Sequence, residues 1–124
     1  KVRPRFFNYL HIANAGGIFM QQRRAKDIWS GLFEPPLLES TEPLDQRGME
    51  RALTRAFGKG WRVRSNSATV KHVLSHQVIH AVFWRVDPPK VFAPPAHWKR
   101  CTEREVHRLA VPKLIERWLA SVGS

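Results

Sequence analysis

Apolar positions along this chain recur with a period of two in some stretches and nearly four in others, and the switch between the periods marks its elements. Thr69–Leu74 and Gln77–Val86 are apolar runs rich in β-branched residues, parted by the polar pair Ser75-His76. Such runs around a short polar break predict paired strands with a hydroxyl and an imidazole at the hairpin tip. Along the second arm Val78, Val82, Trp84 and Val86 share one side, interrupted by His80, while Ile79, Ala81 and Phe83 share the other. A strand apolar on both sides belongs in the middle of a sheet covered by helices. His80 there is expected to be a satisfied core histidine rather than a ligand.

Upstream, Arg5–Ala13 is aromatic and β-prone, Asn14-Ala15-Gly16-Gly17 is turn chemistry, and Ile18–Arg23 returns as a second strand. The pattern predicts a hairpin. Trp29–Pro36 follows as a loop or short strand whose prolines argue against a central position, and Leu37–Gln46 reads as acidic and irregular. Met49, Leu53 and Phe57 recur every four residues, so Met49–Phe57 is the first helix, ended by Gly58-Lys59-Gly60. Its other side carries Arg47, Arg51 and Arg55, also four apart. Like charges at that spacing repel by a few tenths of a kcal/mol per pair, roughly. Neighbouring glutamates or a phosphate would relieve them; a solvated surface is the plain reading.

Trp61–Arg64 and His97–Arg100 are candidate short strands on either side of the main hairpin, and Asp87–Pro95 is a proline-rich connector. Thr102-Glu103-Arg104-Glu105 is a capping box that starts a helix near Glu103. Pro112 suits a first helical turn, and Val111, Leu114, Ile115, Trp118, Leu119 and Val122 form a helical core stripe. The order of elements predicts an α+β fold with helices packed on a mixed sheet.

Composition narrows the function. The 124 residues fit a single domain, 1–124, and a 43% hydrophobic content is that of a globular chain. No apolar run has the length of a membrane span, and the opening residues have no signal-peptide pattern. Lys1–Arg5 is expected to be a linker remnant of a longer protein. Cys101 is the single cysteine, which excludes an internal disulfide, and no Cys/His cluster has metal spacing. A reducing, cytoplasmic setting is the expectation. The formal charge is +11 and the pI near 11.1. Residues 31–50 hold Glu34, Glu39, Glu42, Asp45 and Glu50 against Arg47 alone, a net of −4, so the remainder carries +15. Such basicity points to nucleic acid, ahead of a membrane surface, because no basic amphipathic helix with exposed aromatics appears.

Three stretches in order then resemble one family, the C-terminal domain of MutY-type adenine DNA glycosylases. Gln22-Arg23-Arg24 running into Trp29-Ser30-Gly31-Leu32-Phe33-Glu34 is similar to that family's arginine and W-x-G-L-aromatic-x-F-P segment. His72-Val73-Leu74-Ser75-His76 is similar to its H-x-F-S-H loop. Leu109-Ala110-Val111-Pro112-Lys113-Leu114-Ile115 is similar to its closing A-x-P-x-x-I helix. Pro35 departs from the family's phenylalanine, as does Leu74 before Ser75-His76, although leucine still fills an apolar slot.

The resemblance implies a Nudix-like fold and a role in base-excision repair. It also implies a partner, double-stranded DNA carrying 8-oxoguanine opposite adenine, and an N-terminal catalytic domain with an iron–sulfur cluster in the same parent chain. Enzyme activity, adenine removal, would belong to that parent. Within these residues it implies no cofactor, no catalytic residue and a monomer, with Ser75 and His76 touching the lesion and Leu74, Lys71 and His72 beside them.

The same fold family contains nucleotide hydrolases such as MutT, and its helix motif R-E-x-x-E-E-x-G tests that alternative. If Gly58 matches the terminal glycine, Arg51 matches the arginine, and Ala52, Arg55 and Ala56 fall on the three glutamates that would hold magnesium. Two alanines and an arginine provide no oxygen ligand, so hydrolysis of oxidised nucleotides is disfavoured. A basic nucleic-acid binder without lesion preference remains a third reading.

Overall fold

The computed structural model describes residues 2–122. The chain runs β1 (Arg3–His11), β2 (Ala13–Asn14), β3 (Gly17–Gln22), β4 (Phe33–Glu34), β5 (Leu37–Ser40), α1 (Gln46–Phe57), β6 (Arg62–Asn66), β7 (Val70–Val73), β8 (Gln77–Asp87), β9 (Lys99–Thr102), α2 (Glu103–Val106) and α3 (Lys113–Val122). A five-stranded mixed sheet has the order β5-β1-β8-β6, with β7 also on β8. β1 and β8 are parallel in register from Arg3↔Gln77 to His11↔Arg85, and the other pairings are antiparallel. A second sheet joins β2, β3 and β4, with β9 on β3.

β8 is the central strand its pattern predicts. Ile79, Ala81 and Phe83 join Phe7 and Tyr9 of β1 against Ile115, Trp118 and Leu119 of α3. Trp84 and Val86 join Leu10 and Ile12 against Met49 and Leu53 of α1. Period two in the strands and period near four in the helices thus meet as two cores on opposite faces of one sheet. Phe83 lies between Tyr9 and Trp118, its ring stacked on each at 5.1 and 4.7 Å. Among the described residues Arg5, Asn8, Arg23 and Glu34 are buried polar side chains, and Asn8 is the one that ties the sheet together. Buried Asn8 accepts from Trp84 Nε1 at 3.0 Å and donates to the Leu38 carbonyl and to Ser40 Oγ.

Several boundaries differ from the sequence pattern. Arg3–Arg5 begin β1 rather than a linker, because the parallel register with β8 starts at Arg3 and Arg5 is buried; Lys1 lies outside the described residues. The predicted first hairpin is only its tip: Ala13-Asn14 pairs with Gly17-Ile18, while the body of β1 takes β8 and β5 as neighbours. The stretch expected to be irregular contains β5, recruited as an edge strand by β1. Helix α1 starts at Gln46 because Asp45 caps it, its carboxylate accepting from Gly48 N at 2.7 Å. The Thr102/Glu105 capping box forms as expected, and the strand before it is Lys99–Thr102. Val122 is 45% exposed and leaves the core stripe one residue shorter.

Candidate nucleic-acid interface

The site grows from the β7–β8 hairpin. Val73 pairs with Val78, Leu74 N donates to the Gln77 carbonyl at 2.8 Å, and the turn is left to Ser75 and His76. Both are exposed, and neither side chain bonds to the protein among the described residues. The tip is nevertheless tied down. Arg3 N donates to the His76 carbonyl at 3.0 Å, and Arg5 Nη1 donates to Gln77 Oε1 at 3.1 Å. Leu74 turns inward, half-buried against the core that holds α3, so it anchors the tip.

Lys71 and His72 are successive strand residues and therefore project to opposite faces. His72 meets Trp29 edge-on at 5.4 Å. Lys71 is exposed in register with His80, whose ring stacks on Phe6 at 5.1 Å on the face α1 packs against. Of the five residues singled out by sequence, the fold brings Ser75 and His76 together at the apex. It places Leu74 and His72 beneath them and Lys71 to one side.

Trp29, not a candidate from sequence, is the support behind the tip. It lies between Phe7 and His72, at 6.2 Å from the Phe7 ring, and adopts φ +60, with Gly31 at φ +84. Arg23 holds this tight loop. Its N–H donates to the Leu32 carbonyl, its own carbonyl accepts from Gly31 N, and its Nε donates to the Ile28 carbonyl. Its guanidinium grips Asp27 at 2.8 and 2.9 Å. Arg5 reaches the same carboxylate and forks onto Glu39 at 2.7 and 2.8 Å. Burial opposes charge on Asp27, but the hydrogen bonds from Arg23 and Arg5 outweigh it and hold the pKa below its ordinary value. Burial pushes the Glu34 carboxyl up despite Gln21 and Arg23 nearby. The first stretch of the family resemblance contained Arg23 and Trp29, but strand or helix periodicity gives no sign that they brace a hairpin forty residues away.

Helix α1 carries no carboxylate at the three positions where magnesium-binding glutamates were sought. Ala52, Arg55 and Ala56 occupy its outer side, Glu39 is engaged by Arg5, and Asp45 is spent as the helix cap. A groove of about 680 Å³ runs between residues 39–45 and α1, with Arg51 and Arg55 on its wall. Among the described residues no three His, Cys, Asp or Glu side chains come together as a metal site. The donor set does not fit a hard divalent cation. No described helix is long and apolar enough to cross a membrane.

Comparison with known proteins agrees with this architecture. The family model described as NUDIX domain matches residues 8–121. The C-terminal domain of mouse MUTYH, in the structure of its complex with human PCNA, superposes with a TM-score of 0.70 at 15% identity, covering 96% of this chain and 88% of that one. The E. coli ORF135 protein gives 0.68 at 20% identity, covering 96% and 91%. The MutT protein from Methanosarcina mazei Go1 gives 0.67 at 12% identity, also covering 96% and 91%. Identities this low carry the fold alone. No curated protein matches the sequence.

Proposed function

The chain belongs to the NUDIX domain family, and we propose that within it the chain is a lesion-reading module of an adenine DNA glycosylase rather than a hydrolase. The observation that carries this reading is the Ser75–His76 pair, exposed at a braced hairpin tip with no partner for either side chain among the described residues. The adenine-removing domain and its iron–sulfur cluster would lie elsewhere in the parent protein, and double-stranded DNA with 8-oxoguanine opposite adenine would be the ligand.

The chemistry suits the residues. Undamaged guanine offers acceptors at N7 and O6 in the major groove. Oxidation turns N7 into an N–H donor and adds an oxygen at C8. A reader therefore needs an acceptor for the new N–H or a donor for the new oxygen. Serine Oγ serves as either, and a neutral imidazole offers one of each. When the damaged base is syn against adenine, its amino group projects into the major groove, where an acceptor at a rigid tip meets it before the adenine is flipped out. Leu74 anchors the tip against the core, and exposed Lys71 with His72 would position the DNA strand nearby.

Two rivals come from other classes. A hydrolase would turn over nucleoside triphosphates with magnesium, and the side chains on α1 argue against it. A general basic binder would not distinguish lesions. In binding titrations at low salt, the chain should prefer an 8-oxoguanine:A duplex over a G:A duplex, and Ser75→Ala with His76→Ala should erode that ratio by about tenfold, or ~1.4 kcal/mol. Equal affinity of the unaltered chain for both duplexes would favour the general binder. Magnesium-dependent release of pyrophosphate would revive the hydrolase.

A further inference from the structure

We propose that the arginine row on α1 is a second DNA-binding face, one that takes the phosphodiester backbone of a duplex and reads no sequence or lesion. Arg47, Arg51 and Arg55 are all exposed and lie four residues apart on the helix side away from Met49 and Leu53. At the α-helical rise their three heads span about 12 Å. One strand of B-DNA presents a charge every 3.4 Å or so of its axis, so that length faces three to four phosphates.

Among the described residues none of the three arginines is ion-paired, although Glu42 and Asp45 line the groove that Arg51 and Arg55 border. The ion pairs among the described residues use Arg5, Arg23 and Arg64, none of these three. Glu50 shares a shallow depression with Arg47, Arg51 and Arg55 yet pairs with none of them. Two successive like-charge contacts at i,i+4 work against the helix, and an approaching polyanion would reverse their sign. The exposed Thr54 hydroxyl, in the same depression, adds a neutral donor to phosphate. An anionic membrane suits the row less well. Surface-binding helices insert their apolar side into lipid, whereas that side of α1 is buried against Trp84 and Val86.

The choice of DNA as the polyanion rests on the lesion-reading proposal, but the two are separable. α1 lies over the end of β8 and the Ser75–His76 tip is at its beginning, so one surface can fail without the other. The test is a salt titration of the chain on a short undamaged duplex. Arg47→Gln/Arg51→Gln/Arg55→Gln should make the slope of log affinity against log salt shallower by about 2–3, and Arg51→Gln alone by about 1. The triple lysine variant should keep the slope, since charge rather than the guanidinium fork is used. The 8-oxoguanine:A to G:A ratio should stay unchanged in all three. An unaltered slope in the triple glutamine variant, with helix content intact by circular dichroism, overturns the proposal. Loss of binding to phosphatidylserine vesicles with duplex binding retained overturns it in favour of a membrane.

Discussion

His11 ends β1 half-buried, its ring 5.1 Å from Trp118 and edge-on to it. Burial lowers its pKa below 6.5, and Arg85 adds to the shift. Its stabilising contribution is therefore complete above the unfolded value near 6.5, where both states are neutral. As pH falls the unfolded chain takes up the proton first, so stability is lost until the folded pKa is passed. Urea unfolding should accordingly weaken between neutrality and mildly acidic pH, and His11→Phe should flatten that part of the profile. An identical profile in the variant would show that other groups govern it. Asp27 has the same sign at lower pH: its depressed pKa contributes stability that disappears as the carboxylate is protonated. Among the residues behind the proposed site, the polar apex was legible from Ser75-His76 alone. The bracing by Arg23, Arg5 and Trp29 was not, because it depends on side chains from β1, β3 and the following loop meeting in space.

Among the elements, β3 shows how closely two backbones are required to approach. Gly17 pairs with Thr102 of β9, and a Cβ built on it would lie 2.5 Å from the Cys101 carbonyl oxygen. Gly17→Ala should force β3 and β9 apart and cost about 1–3 kcal/mol, read as a lowered melting temperature. A melting temperature equal to that of the unaltered chain would mean the strands yield freely. The pattern around Gly17 suggested only a turn, since the contact that demands glycine comes from a strand more than eighty residues later. Helix α1, by contrast, was visible from Met49, Leu53 and Phe57. Its start was placed late because the first turn, Gln46-Arg47-Gly48, has no large apolar residue and is specified by the Asp45 cap. β5 was missed for a related reason: Leu37 and Leu38 are followed by acids, and only pairing with β1 makes them a strand.

At the scale of the molecule, one sheet separates two cores that share no side chain among the described residues. Leu53 and Ile115 are both fully buried, one against each face. Leu53→Ala and Ile115→Ala should each cost about 2–5 kcal/mol. Because the sheet lies between them, their effects should add to within about 0.5 kcal/mol in urea titrations of the double variant. A coupling well above that would show that strain passes through β8. The net charge acts at the same scale, as a field favouring association with a polyanion, while the two proposed contacts decide where it docks.

What the sequence determined by itself was whatever depends on local periodicity and chemical type. The central strand with both faces apolar, the helices on either side and the capping box at Thr102 all follow from residues close in the chain, and the resemblance to a known motif added Ala52, Arg55 and Ala56 where hydrolase acids would stand. The tertiary structure alone decided that β1 runs parallel to β8, that Arg3 and Arg5 hold the hairpin from below, and that Leu74 faces the core while Ser75 and His76 face outward. The first two arise from pairings between residues about seventy positions apart, where register is set by which buried surfaces fit together, and the third from Leu74 packing on the core that holds α3.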